Sequence, residues 1–188
     1  CAVRPDNTTV CMGKNNSGQL GDNTTTDCGY PSSSQATACA TPIFDDNTAQ
    51  GNIKRVDTGD LFTLWLDNNG KLYSAGDCLN GKLGYTCSAD QLTAKTIMTG
   101  VKDMDVQRDI SCALKTDDTL WCWGNNDSYE IHSDNTSVVT DPMQIASNVD
   151  SFDVGGSFIA VLYDNNTFHC TDNWYCLLYT SPSPRDGL

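Results

Sequence analysis

The sequence contains little positive charge. Its 11 lysines and arginines are outnumbered by 24 aspartates and glutamates, which gives a formal net charge of −13. Proteins that bind nucleic acid or anionic membrane surfaces use clustered lysines and arginines, and here these residues are scattered. The composition therefore argues against nucleic acid as a partner. An acidic surface that keeps the protein soluble is the simplest interpretation, and a cationic protein or a carbohydrate stays open as a partner.

Long hydrophobic runs and catalytic motifs are also missing. No run of about 18 apolar residues occurs, so the sequence predicts no membrane insertion. Histidine occurs only at His132 and His169, and the chain has no G-x-S-x-G, H-E-x-x-H or phosphate-loop motif. We therefore expect no catalytic residue, no cofactor and no metal. The adjacent acids Asp45 and Asp46 favour a solvated turn over a calcium site.

Cysteine, in contrast, is abundant, with 10 residues in 188. Thiols at this density persist as disulfides in oxidising compartments. Zinc is the weaker alternative because no C-x-x-C spacing is present. Six N-x-S/T sequons add weak support for an extracellular or cell-surface location, and they begin at Asn7, Asn15, Asn23, Asn126, Asn135 and Asn165.

Four segments repeat one pattern, in which a short apolar run leads into an Asp/Asn/Gly cluster and then into alternating residues. The segments are 1–13, 64–76, 112–124 and 160–172. Asp, Asn and Gly tolerate the positive φ of tight hairpin turns, and the flanks are rich in β-branched and aromatic residues. Each segment is therefore predicted to be a β-hairpin. The equivalent end points are Gly13, Gly76, Gly124 and Asp172, so the last two intervals are both 48 residues.

A further short strand is predicted before three of the hairpins, at 53–59, 101–106 and 149–155, because apolar residues recur there at every second or third position. No helical period extends beyond two turns. The predicted fold class is all-β with three or four strands per repeat. A period near 50 residues is typical of a propeller blade or a β-solenoid coil.

The segments after the hairpins carry a known motif. Residues 13–21 read G-K-N-N-S-G-Q-L-G, residues 76–84 read G-D-C-L-N-G-K-L-G, and residues 123–126 read W-G-N-N. With these residues the chain resembles the secreted, cysteine-containing type of the regulator of chromosome condensation repeat family. That family pattern is W-G-x-N-x-x-G-x-L-G. The matching residues are Gly13, Gly18, Leu20, Gly21, Gly76, Gly81, Leu83, Gly84, Trp123 and Gly124.

The resemblance implies a seven-bladed β-propeller, of which residues 1–175 would form about three to four blades. Trp123 is then expected to pack between blades. Phe62, Ile110 and Phe158 stand where the family often has histidine. The chromatin binding and nucleotide exchange of the founding member are not expected, because no basic patch supports them. For secreted relatives the resemblance implies a rigid rim that binds other proteins.

The cysteines are expected to form four disulfides. Cys1 and Cys11 stand on opposite arms of one predicted hairpin, and Cys112 and Cys122 repeat this arrangement, which brings their Cβ atoms close enough to bridge. The other two bridges would close the long insertion and the second glycine turn. Each is expected to contribute about 2–3 kcal/mol. The expected pairs are Cys1–Cys11, Cys28–Cys39, Cys78–Cys87 and Cys112–Cys122.

The last residues, 176–188, share no period with the rest of the chain. They resemble the translation of a sequencing adapter, so we expect a non-native or disordered tail. A natural tail rich in proline and serine is the alternative.

Three functions stay open. The first is a scaffold that binds an unknown protein or glycan without catalysis, through the inserts at 22–52, 85–100 and 127–148. The second is a propeller lyase or hydrolase that uses acidic loop residues with perturbed pKa values. The third is a structural spacer in a large extracellular protein. Exposed aromatic residues gathered in the inserts would favour binding, paired acids would favour catalysis, and dispersal would favour a spacer.

Overall fold

The computed structural model describes residues 1–29, 40–47, 50–132 and 137–171. These residues form antiparallel sheets that follow one another along the chain. The only helical element among them is a short 3₁₀ turn at Leu79–Gly81. The prediction of an all-β class is therefore confirmed.

The sheets share one strand order, in which sequential neighbours pair. The first sheet pairs β1 (Ala2–Val3) with β2 (Thr9–Val10). The second contains β3 (Ile53–Thr58), β4 (Phe62–Asp67), β5 (Leu72–Gly76) and β6 (Gln91–Met98). The third contains β7 (Val101–Gln107), β8 (Ile110–Lys115), β9 (Leu120–Gly124) and β10 (Val139–Ala146). The fourth contains β11 (Val149–Val154), β12 (Ile159–Tyr163) and β13 (Phe168–Cys170). Four such sheets in series agree with the predicted three to four blades.

The predicted hairpins all form, and they share one register. Leu64 pairs with Ser74, Cys112 with Cys122 and Ala160 with Cys170. Each hairpin also has one residue with positive φ at the same place in its turn. The values are 63° at Asn7, 78° at Gly70, 62° at Asp118 and 63° at Asn166. The Asp/Asn/Gly clusters therefore form the tight turns, as predicted, because these residue types tolerate positive φ best.

Two of the three inserts contain the fourth strand of a sheet, which the sequence does not locate. Strand β6 lies within 85–100 and β10 within 127–148, and each is the outermost strand of its sheet. Both strands are mostly half-buried and contain polar residues, so their apolar periodicity is weak. Strand β10 even contains Pro142, which an edge strand tolerates because one side of its backbone is unpaired.

The core lies between successive sheets. One apolar cluster joins the first and second sheets, a second joins the second and third, and a third joins the third and fourth. Every residue of β4 is buried because this strand contacts a neighbouring sheet on each face. Trp65 belongs to the first cluster, whereas Leu64 and Leu66 belong to the second. Sheets stacked face to face in this way are typical of propeller blades.

Some predictions concern residues outside the described ranges. Residues 176–188 and Cys39 are among them, so the tail and the Cys28–Cys39 bridge stay predictions. The ranges that the structure covers contain no helix long and apolar enough to cross a membrane.

Candidate functional site

The blades have two distinct ends. At one end, which we call the loop end, lie the segments 14–29, 59–61, 77–90, 108–109, 125–132 and 155–158. At the other end, the turn end, lie the tight hairpin turns and the links between sheets. Among the described residues, most of the long irregular segments lie at the loop end. Recognition in proteins is commonly carried by such segments on a rigid scaffold.

The motif glycines let each loop lie directly on the next sheet. A Cβ atom at Gly18 would come within 2.5 Å of a Leu92 side-chain atom on β6, and one at Gly81 within 2.8 Å of Val138, just before β10. Both glycines have positive φ. Leu20 and Leu83, two residues further along, are buried. In the third sheet Tyr129 holds the equivalent position with a φ of 63° and is 39% exposed.

The first and third loops are each organised by one buried asparagine. Oδ1 of Asn15 accepts from the Leu20 amide at 2.9 Å, and its Nδ2 donates to Asp22 at 2.9 Å. Oδ1 of Asn126 likewise accepts from the amide of Ile131 at 2.8 Å, and its Nδ2 donates to the carbonyl oxygen of His132 at 3.1 Å. Both side chains are fully buried. Each amide therefore replaces backbone hydrogen bonds that the irregular loop lacks.

In the second loop a disulfide bond takes the place of the buried asparagine. Cys78 occupies the position of Asn15 and Asn126, and it is bonded to Cys87 with an S–S distance of 2.02 Å. Two hairpins carry a bridge across their arms, Cys1–Cys11 and Cys112–Cys122, with Cα–Cα distances of 3.9 and 4.1 Å. Cys28 and Cys170 are disulfide-bonded as well, and their pairing lies outside the described residues.

The interface between the second and third sheets contains the buried side chains of Trp123 and Lys82. Trp123 is fully buried, and its Nε1 donates to the carbonyl oxygen of Lys82 at 2.9 Å. Nζ of Lys82 lies 2.7 Å from Asp77 and 2.6 Å from Asp109. Burial lowers the pKa of Lys82, but the two carboxylates outweigh it and hold the pKa above its ordinary value. This ion triad links the two sheets at the loop end.

A cavity of about 390 Å³ lies between the third and fourth sheets. Both histidines of the chain line it, His132 from the loop and His169 from β13, together with Tyr129 and Tyr163. The sequence predicts His132 in a polar loop and His169 in a strand, and it contains no pattern that brings the two histidines together.

The cavity corresponds to the place that Trp123 fills one interface earlier. Thr171 lies 48 residues after Trp123, at the equivalent position, and it lines the cavity. Around Trp123 the apolar cluster contains Leu83, Ala113 and the half-buried Ile97. The residues 48 further along are Ile131, Val161 and Ile145, and all three line the cavity. The repeat length could have revealed this exchange of an indole for a small hydroxyl side chain.

An acidic groove of about 310 Å³ lies next to the same loop. Its lining includes Asp60, Asp109, Asp127 and Glu130 around Arg108. Among the described residues, no group of three or more Asp, Glu, His or Cys side chains is placed to hold a metal ion. One of the acids, Asp109, is paired with Lys82. The groove is therefore better suited to attract a positively charged partner than to act as a pair of catalytic carboxyl groups.

The innermost strands carry aspartate at one repeated position, Asp57, Asp105 and Asp153. Arg55 lies 3.6 Å from Asp57, 2.5 Å from Asp103 and 3.7 Å from Asp105. Burial raises the pKa of Asp105, and the charge of Asp57 adds to this, whereas the amide of Val154 and the charge of Arg55 oppose it. The amide of Val154 donates to Asp105 at 2.7 Å, so this carboxylate connects the third and fourth sheets.

The acidic pair Asp45–Asp46 has a structural role. The Asp45 carboxylate accepts hydrogen bonds from the amide of Thr96 at 2.9 Å and from its hydroxyl at 2.8 Å. Asp46 forms an ion pair with Lys71. Both acids therefore attach the segment before β3 to the second sheet.

Comparison with known proteins gives one consistent assignment. Residues 108–130 match the regulator of chromosome condensation (RCC1) repeat. In sequence the chain is similar to the X-linked retinitis pigmentosa GTPase regulator of Canis lupus familiaris, with 27% identity over 148 residues, 76% of this chain and 14% of the relative.

Solved structures show the same fold. The chain is similar to human WBSCR16, with a TM-score of 0.69, 23% identity, and coverage of 85% of this chain and 41% of that one. It is also similar to a chain in the crystal structure of Kap60 bound to yeast RCC1 (Prp20), with a TM-score of 0.70, 19% identity, and coverage of 88% and 41%. For Prp20p from Saccharomyces cerevisiae, described with its binding to Gsp1p and histones, the TM-score is 0.66. The chain thus spans about two fifths of these structures. The described residues form a set of β-propeller blades, and within them residues 108–130 match the RCC1 repeat.

Proposed function

We propose that this chain is a non-catalytic scaffold that binds another protein through the loop end of its blades. The fold supports this proposal, because the RCC1-type propellers that it resembles include yeast RCC1 bound to Kap60 and a protein with binding properties to Gsp1p and histones. Kap60, Gsp1p and the histones are partners of those proteins and are not assigned to this chain. The partner of this chain is identified below by the chemistry of its own surface.

The observation that carries the proposal is the cavity between the third and fourth sheets. Its walls repeat the surroundings of Trp123, and Thr171 stands where the indole would be. Aromatic side chains that enter such pockets are the usual anchors of protein interfaces. The occupant that fits is therefore an aromatic side chain, tryptophan first, presented by a partner protein.

The charge around the cavity selects the partner further. The acidic groove shares the loop 125–132 with the cavity, and the whole chain carries a net charge of −13. Complementary charge increases association rates and excludes wrong partners. The partner segment should carry lysine or arginine beside its aromatic anchor. Tyr129, the one aromatic residue of the insert 127–148 besides His132, is exposed and lines the cavity, which favours binding over a spacer role. Lys82 pairs with Asp109, one of the acids of the groove.

The test uses the full chain, immobilised and screened against a random peptide library displayed on phage. We expect enrichment of peptides with tryptophan next to lysine or arginine. The variant Thr171→Trp fills the cavity and should reduce their binding at least tenfold. The matched control Thr99→Trp adds the same side chain to an exposed link at the turn end and should bind as the original chain does. Equal binding by Thr171→Trp, or no aromatic enrichment, would refute the proposal.

We also propose an extracellular or cell-surface location, because the disulfides of this chain require an oxidising compartment. Alkylation of the unreduced protein, followed by mass spectrometry, measures the thiol state that this location requires. Protein from the secretory pathway should show no alkylated thiol at Cys78 or Cys112. Modified thiols at these positions in the native protein would contradict the proposed location.

A further inference from the structure

We propose that this protein carries N-linked glycans on Asn7, Asn23 and Asn165 and none on Asn15 or Asn126. The inference rests on the proposed extracellular location, since the modifying machinery belongs to the secretory pathway. All five asparagines satisfy the N-x-S/T rule equally well. The fold separates them into two classes. The sixth sequon, at Asn135, lies outside the described residues.

The chemistry requires the side-chain nitrogen of the asparagine. The donor is a lipid-linked oligosaccharide diphosphate. Nδ2 forms a bond to the first sugar carbon, the bond from that carbon to the phosphate oxygen breaks, and the lipid diphosphate leaves while Nδ2 loses one proton. In the folded product the modified nitrogen must be exposed to solvent, because the attached sugar is bulky and polar.

Asn165 has the right geometry. It lies in the exposed hairpin turn between β12 and β13. Its Oδ1 accepts two hydrogen bonds from Thr167, one from the hydroxyl at 2.6 Å and one from the amide at 3.0 Å. No described residue bonds to its Nδ2. The turn therefore uses only the oxygen of Asn165 and leaves the nitrogen available.

Asn7 and Asn23 are also exposed. Asn7 lies in the equivalent turn of the first hairpin, where the hydrogen bonds that it makes to other described residues involve its backbone. Its backbone amide donates to the carbonyl oxygen of Arg4 at 2.9 Å, and its carbonyl oxygen accepts from the backbone amide of Ile53 at 2.9 Å. The backbone amide of Asn23 donates to the carbonyl oxygen of Leu92 at 2.8 Å. Neither side chain forms a hydrogen bond to another described residue.

Asn15 and Asn126 belong to the opposite class. Both are fully buried, and both atoms of each side-chain amide are used inside a loop. A sugar on Nδ2 would remove a donor from that network and would have no space. A chain modified at either position could not form the loop, so folded protein must lack glycans there.

The experiment measures site occupancy in the full chain, expressed in the secretory pathway of cultured human cells. Folded protein from medium and cell extract is pooled and treated with peptide-N-glycosidase in heavy-oxygen water, which labels each formerly modified asparagine. We expect label at Asn7, Asn23 and Asn165 and none at Asn15 or Asn126. Label at Asn15 or Asn126 in folded protein, or no label at the three exposed sites, would overturn the inference.

Matched variants separate the sites. Asn165→Gln should remove the mass of one glycan, and Thr167→Ala should do the same although Asn165 remains. Asn15→Gln should leave the glycan mass unchanged. Thiol state is read on the same sample, which distinguishes the two proposals. Formed disulfides without label contradict only the glycan assignment, whereas label with unpaired thiols contradicts only the oxidising setting.

Discussion

At the scale of single residues, the loop end depends on a few buried polar side chains. Asn15 and Asn126 each satisfy backbone groups within an irregular loop. A buried polar group that loses its partner costs about 1–3 kcal/mol. The loops are therefore more sensitive to loss of one amide than to changes among the exposed residues around it.

The first prediction concerns Asn126→Ala. The substitution leaves the amides of Ile131 and His132 without their acceptor, so the free energy of unfolding should fall by about 2–3 kcal/mol. Urea unfolding followed by tryptophan fluorescence measures this. Asn125→Ala, at the adjacent half-exposed position, is the control and should cost less than about 1 kcal/mol. Equal effects of the two changes would contradict the assigned role.

The second prediction concerns pH. Because the folded state raises the pKa of Asp105, the carboxylate form is the less favourable one there. The contribution of Asp105 to the free energy of unfolding is fully present below about pH 4, the pKa of this carboxyl in the unfolded chain. It is lost as the pH rises through the higher pKa that the carboxyl has in the folded protein. Asp105→Asn should therefore increase the melting temperature at pH 7, by at most about 4 °C. The gain should vanish near pH 3 in thermal scans, and a gain that persists there would count against this account.

At the scale of elements, neighbouring sheets are joined by apolar contacts and a few specific polar ones. The side chain of Lys82 is 4% exposed and lies between Asp77 and Asp109. That of Lys102 pairs with Asp118 but is 36% exposed. A buried ion pair is costly to break, because removal of one partner leaves an uncompensated charge, whereas exposed pairs contribute little.

The third prediction follows from this contrast. Lys82→Met should reduce the free energy of unfolding by about 3 kcal/mol, and Lys102→Met by less than about 1 kcal/mol. The measurement is the urea midpoint of both variants at neutral pH. Similar midpoints would show that the triad does not hold the second and third sheets together.

The fourth prediction concerns the bridge across the third hairpin. Replacing both Cys112 and Cys122 by alanine should cost about 3 kcal/mol, because a short loop in the unfolded chain is no longer closed. Copying the equivalent pair of the second sheet, as Cys112→Leu and Cys122→Ser, should preserve the fold and recover part of that loss. Chemical unfolding of both double variants tests this. A fold lost in the second variant, by circular dichroism, would argue against equivalence of the two hairpins.

At the scale of the whole molecule, the repeat was readable from the sequence because glycines and Asp/Asn turns mark backbone conformations that few residues adopt. For this reason the hairpins and their shared register can be predicted from the amino-acid sequence. The outer strands β6 and β10 were not recognised, because half-buried edge strands need little apolar periodicity. The cavity beside Thr171 cannot be predicted from the motif. It exists because the side chain of Thr171 is smaller than that of Trp123, and a motif identifies the residues that match it, not the space left where a large side chain is replaced by a small one.

The fifth prediction belongs to this scale. With a net charge of −13 and a sequence pI near 4.2, mutual repulsion keeps molecules apart at neutral pH and disappears near the pI. Solubility should therefore be lowest near pH 4 and should rise on either side, as measured by turbidity across a pH series. A minimum near neutral pH would indicate that apolar surface, and not charge, controls association.

The exchange of Asn15 and Asn126 for Cys78 makes one blade chemically different from its neighbours. A reductant separates Cys78 from Cys87 and so removes the bond that holds this position of the second loop. The hydrogen bonds of Asn15 and Asn126 at the same position of the first and third loops do not depend on thiol chemistry.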